Sequence, residues 1–110
     1  MKNEVDSIKL ERLISRLEEL TKDGWIIWEA INNTYGYNNG NIYKIFAYKT
    51  FYRGASITVI MLSDITQIKI KYGKNTLIHY GENLELREAI NKQGINSLNE
   101  YIDTINNEEN

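Results

Sequence analysis

Ala55-Ser56-Ile57-Thr58-Val59-Ile60-Met61-Leu62-Ser63-Asp64-Ile65-Thr66-Gln67-Ile68-Lys69-Ile70-Lys71-Tyr72 is the stretch that decides the fold. Its residues alternate with a period of two, the spacing of side chains on opposite faces of a strand. Ala55, Ile57, Val59 and Met61 share one face, against Ser56, Thr58, Ile60 and Leu62 on the other. Thr66, Ile68, Ile70 and Tyr72 likewise oppose Gln67, Lys69 and Lys71. The Ser63-Asp64 connection is far too short for a parallel crossover, so the two strands are antiparallel neighbours. One face of their sheet is apolar and the other at least partly wet.

Working outward, β-branched and aromatic residues continue in short runs punctuated by Gly and Asn. These runs predict five strands, at 25–32, 41–51, 55–62, 66–72 and 76–80. The turns between them are Asn38-Asn39-Gly40, Arg53-Gly54, Ser63-Asp64 and Gly73-Lys74-Asn75. Before the sheet, Val5, Ile8, Leu10, Leu13, Ile14, Leu17 and Leu20 repeat at three and four, which predicts a helix over 6–22 capped by Asp6 or Ser7. Thr21-Lys22-Asp23-Gly24 supplies its stop. After the sheet, Asn83 as a cap and Gly94 as a stop predict a helix over 83–93. The Ser97 and Glu100 capping-box spacing predicts another over 97–106, followed by a frayed tail at 107–110. The expected fold is a single α+β domain over 1–110: an N-terminal helix, a five-stranded antiparallel meander, and two short C-terminal helices packed on one sheet face.

Composition narrows the setting. The chain has 110 residues, 42% of them hydrophobic and 25% charged, which fits a globular protein that folds alone. It contains no Cys, so disulfides, thiolate metal sites and thiol nucleophiles are excluded and a reducing cytoplasm is expected. No run approaches the roughly 20 apolar residues of a membrane span, and Met1-Lys2-Asn3-Glu4-Val5-Asp6 does not open a signal peptide. A soluble protein of a bacterial cytoplasm is expected. Abundant Asn and Ile, Lys in excess over Arg, and the absence of Pro reflect the codon bias of an A- and T-rich genome.

Catalysis makes the sharpest demands on a sequence, and here they are not met. His79 is the single His, and there is no nucleophile elbow, phosphate-cradling Gly loop, HExxH or dinucleotide fingerprint. An acid/base pair of His79 with Asp64 or Glu82 is conceivable, but a strand histidine that fills or edges the sheet is the simpler expectation. Metal ligation lacks the needed spacing, so neither an enzyme nor a cofactor is expected.

Charge is more informative. Formal net charge is -2, yet residues 41–74 carry Lys44, Lys49, Arg53, Lys69, Lys71 and Lys74 against Asp64, a local +5. Residues 82–110 carry a local -5. Such a division can orient a charged partner at encounter. Cations sit beside aromatics in Tyr43-Lys44, Tyr48-Lys49, Tyr52-Arg53 and Lys71-Tyr72, which suggests a single-stranded nucleic-acid or nucleotide binder using Tyr43, Tyr48, Lys69 and Lys71. Period-two geometry argues against it, because neighbours on a strand face opposite ways.

The segment from Asn32 to Gly40 is rich in Tyr, Asn and Gly, the residues of adaptable recognition loops. Together with the basic strands it marks Tyr35, Tyr37, Asn38, Asn39, Lys49, Arg53, Lys69, Lys71 and Lys74 as the partner-binding set. A long hairpin connection with a positive-φ turn is the plainer account of the loop. Trp25 and Trp28, three apart, would face opposite sides of a strand, one buried and one exposed.

The run Leu17-Glu18-Glu19-Leu20-Thr21-Lys22-Asp23-Gly24-Trp25-Ile26-Ile27-Trp28-Glu29, with the Tyr-rich meander and helix after it, resembles small α+β proteins of low-GC bacteria and their prophages. The resemblance implies a non-catalytic macromolecule-binding protein, an inhibitor from a phage or mobile element, of which anti-CRISPR proteins are one class. A protein or ribonucleoprotein partner is expected, with nucleic acid as the alternative, a homodimer through exposed strand edges as an option, and no membrane.

Overall fold

The structure, a computed structural model, describes residues 6–31 and 35–108. Their contacts form two compact units: a helical one, Met1–Trp25 with Glu85–Asn110, and a sheet one, Ile26–Leu84.

The helical unit begins with α1 (Ser7–Lys22). The Asp6 carboxylate accepts the Ile8 and Lys9 backbone N–H groups at 2.9 and 3.2 Å, capping two amides with no partner inside the helix. At the other end Gly24 takes φ +79°. That left-handed residue lets the Trp25 N–H reach the Leu20 carbonyl at 2.9 Å and the Gly24 N–H reach the Thr21 carbonyl at 3.2 Å, which is a Schellman closure. The expected stop is borne out. Ile14, Leu17 and Leu20 of the apolar stripe are buried.

The second helix, α2 (Leu84–Asn107), corrects the expectation of two short C-terminal helices. The chain stays helical through Gly94, Ser97 and Glu100. Glycine ends a helix only where the chain adopts a conformation closed to other residues, and Gly94 is not among the positive-φ glycines. Asn83 does precede the helix, with φ +45°. Helix α2 reaches Asn107, so only Glu108 of the expected tail is described beyond it; 109–110 lie outside the described residues.

The two helices are tied where the Gln93 side-chain amide donates to the Thr21 carbonyl at 3.2 Å. In the same unit, partial burial and then the Glu85 carboxylate push the Glu18 carboxyl above its ordinary pKa, against the opposing pull of Lys22.

In the sheet unit, β1 (Glu29–Ile31), β4 (Phe46–Tyr52), β5 (Ala55–Met61), β6 (Thr66–Tyr72) and β7 (Asn75–Gly81) form an antiparallel sheet in the order β1-β4-β5-β6-β7. Between β1 and β4, β2 (Tyr35–Asn38) and β3 (Asn41–Lys44) form a separate two-stranded ribbon. The α+β class and the antiparallel meander are as expected. The strand expected over 41–51 is two strands broken at Ile45, because its first half pairs with β2 and its second half with β1 and β5. Of the strand expected over 25–32, residues 25–28 are not strand and 29–31 are, where partners at Ala47–Lys49 exist; Asn32 lies outside the described residues.

Three two-residue turns set the register. Asn39 and Gly40, and again Arg53 and Gly54, both take positive φ, as a type I′ hairpin requires, and Gly73 opens the β6–β7 turn at φ +60°. Ile57, Val59, Met61, Thr66 and Ile68 of β5 and β6 are buried, as the alternation expects. Each large aliphatic side chain among them contributes roughly 1.5–3 kcal/mol. The buried Thr50 and Thr66 hydroxyls donate to the Ile27 and Glu82 carbonyls, each at 2.9 Å, so neither is left unpaired in the core.

Candidate functional site

Register decides which side chains share the polar face of the five-stranded sheet. Lys49 of β4 lies opposite Thr58 of β5, Thr58 opposite Lys69 of β6, and Lys69 opposite Ile78 of β7. One row toward the turns, Phe51, Ser56, Lys71 and Thr76 stand in line. One row the other way, Ala47, Ile60, Gln67 and Tyr80 do. Lys49, Phe51, Lys69, Lys71 and Tyr80 therefore project from one surface, and all five are exposed.

Two of these groups are held in place. Phe51 is 66% exposed with the Lys49 ammonium 5.8 Å from its ring centre, and Tyr80 is 54% exposed with its hydroxyl accepting from the Gln67 amide at 2.8 Å. Two rings and three cations on an open antiparallel sheet can stack on planar bases and meet phosphates. Glu29, opposite Lys49, adds an acid to this face. Arg53 and Lys74 sit in the β4–β5 and β6–β7 turns, which a meander brings to the same end of the sheet, so they extend the basic surface beyond Phe51 and Lys71. The Arg53 guanidinium lies 5.6 Å from the Tyr52 ring centre.

Sequence reasoning grouped these cations with Tyr43 and Tyr48, which the register does not place on the same face. Tyr48 lies opposite Val59, on the buried-residue face, and is half-buried. Tyr43 belongs to the ribbon. The missed signal was the spacing i, i+2, which places Lys49 with Phe51 and Lys44 with Phe46; in both pairs the ammonium lies within 6 Å of the ring centre.

The ribbon is a second surface, and it corrects the loop expected at 32–40. Asn32, Asn33 and Thr34 lie outside the described residues, but 35–38 is strand and Asn39-Gly40 is the hairpin turn. Pairing of Tyr35 with Lys44 and of Tyr37 with Ile42 puts these four on one face. Tyr37 and Ile42 are 74% and 71% exposed. The other face is closed at Gly36, where an added Cβ would stand 2.5 Å from the Tyr43 ring and 2.8 Å from the Ile45 methyl. No other residue fits without moving Tyr43. Asn38 pairs with Asn41 in the backbone register.

The suggested acid/base group does not assemble. His79 is half-buried opposite Ile68, on the apolar face, while Asp64 is exposed in the β5–β6 connection. Among the described residues no hydrogen bond joins His79 to Asp64 or Glu82, and no group of three metal-ligating side chains comes together. Nor is any described helix long and apolar enough to cross a membrane. The Trp question is answered: Trp28 is buried at 8% exposure and Trp25 is 78% exposed, at the end of the α1 closure rather than on a strand. Comparison with protein-family models, curated proteins and solved structures found no match.

Proposed function

We propose that the protein is a non-catalytic macromolecule-binding protein that works through the polar face of its five-stranded sheet, and that single-stranded nucleic acid is the ligand this face fits best. One observation carries the proposal: the register that sets Lys49, Lys69 and Lys71 beside Phe51 and Tyr80. Rings that stack on any base, with cations tracking the backbone, suit binding that tolerates sequence. The test is anisotropy titration of labelled oligothymidine and oligoadenine across a salt series. Three phosphate contacts give a slope of log affinity on log salt of about -2. Failure to bind at low ionic strength overturns the proposal.

A second function, inhibition of a host protein by a phage or mobile-element product of the anti-CRISPR kind, is supported by the ribbon. Tyr35, Tyr37 and Ile42 expose large rigid side chains at a tight hairpin, the composition of protein-recognition tips. Affinity capture from a low-GC bacterial lysate tests it: the prey should be lost with Tyr37→Ser and Ile42→Ser and retained with Lys69→Glu.

A further inference from the structure

Register sets the two rings of the polar sheet face far apart. Phe51 stands in the row with Ser56 and Lys71, Tyr80 in the row with Ile60 and Gln67, so the rings lie three strands apart and four residues apart along the strand direction. Neighbouring strands are about 4.8 Å apart and each residue rises about 3.4 Å, which puts their Cα positions on the order of 20 Å from each other along a diagonal of the sheet. The row between them holds the polar groups. Thr58 and Lys69 flank the midpoint of the diagonal, and Lys49 and Lys71 lie one on each side of it. All three lysines are exposed. Glu29, on β1, lies beyond Lys49 on the side away from the diagonal.

Resting on the reading of this face as a single-strand surface, we propose that its ligand is an oligonucleotide of at least four nucleotides laid along this diagonal. The first base stacks on one ring and the fourth on the other, and the phosphates between them meet Lys69, Lys49 and Lys71. Length follows from the spacing. Stacked neighbours in a strand are only about 3.4 Å apart, and a fully drawn-out nucleotide spans about 7 Å, so bridging the rings takes three steps. A mononucleotide or dinucleotide engages one ring alone, and a trinucleotide falls one step short. Charge agrees with length, because the three lysines match the three phosphates that join four nucleosides. Stacking accepts any base, so the site discriminates by length and leaves the two middle bases unread.

Calorimetric titration of the full chain with oligothymidines of two to six nucleotides, lacking terminal phosphates and at low ionic strength, tests this. Affinity should step up about tenfold or more between three and four nucleotides, with smaller rises on either side. An abasic site at the first or fourth position of the tetranucleotide should cancel that step, and one at the second or third should cost about threefold or less. With Phe51→Leu, at an exposed position, the step should vanish while the denaturation midpoint holds. An even rise with length, or equal losses from middle and end abasic sites, overturns the diagonal and leaves the single-strand reading standing. No binding by the hexanucleotide at low ionic strength overturns that reading and this inference with it.

Discussion

The two faces of β4, β5 and β6 are built from the same strands and differ in what most of their residues meet. On one, Thr50, Ile57, Val59, Met61, Thr66 and Ile68 are buried; on the other, Lys49, Phe51, Lys69 and Lys71 are exposed. Period two lets one strand carry both programmes at once, with each alternate residue answering to burial or to solvent. Stability and recognition can then be varied almost independently.

The largest effects should separate the faces most clearly. Ile57→Ala, at a site 2% exposed, should cost 2–5 kcal/mol in chemical denaturation, roughly the range for a large-to-small core change. If the cost were no larger than that of Thr58→Ala on the other face, about 0.5 kcal/mol or less, the division between the faces would fail. Next, Lys69→Glu with Lys71→Glu should leave the denaturation midpoint almost unmoved while lowering oligonucleotide affinity at least about tenfold and flattening its salt slope. Equal losses of stability and affinity would show that the lysines serve the fold.

Smaller effects sharpen the contrast. Thr66→Val keeps the shape of a buried side chain but removes the hydroxyl that satisfies the Glu82 carbonyl, and should cost about 1–2 kcal/mol with binding unchanged. The mildest change lies in the helical unit. Glu18 has a raised folded pKa, so the folded state holds its proton more tightly than the unfolded state and stability declines as pH rises through that pKa. Glu18→Gln should therefore raise the melting temperature slightly at neutral pH, with the gain fading as pH falls below the carboxyl range, and should leave oligonucleotide binding as it was.

Much of the fold was legible because it is local. The alternation in β5 and β6, the paired positive-φ turns at Arg53-Gly54 and near Gly40, and the Asp6 cap with the Gly24 closure each depend on a few neighbouring residues. The misreadings share a different cause. Ile45 does not look like a break, since the strand ends there only because its partner changes from β2 to β1 and β5. Gly94 and the Ser97-Glu100 pair do look like boundaries, yet Gly94 does not take the positive φ that closes a helix, and the chain stays helical past all three. For the candidate site, the three lysines were legible by charge. Phe51 and Tyr80 were not, because a shared face between separate strands is a matter of register.

What the sequence by itself determined is the alternation, the turns and the cysteine-free, charge-divided composition, all of which follow from the conformational and solvation preferences of residues close together in the chain. Only the tertiary structure decided that Tyr48 turns inward while Phe51 turns out, that 35–44 folds as its own ribbon, and that Lys49, Lys69, Lys71 and Tyr80 meet on one surface. Pairing between distant strands assigns each side chain its neighbours, and no local preference encodes it.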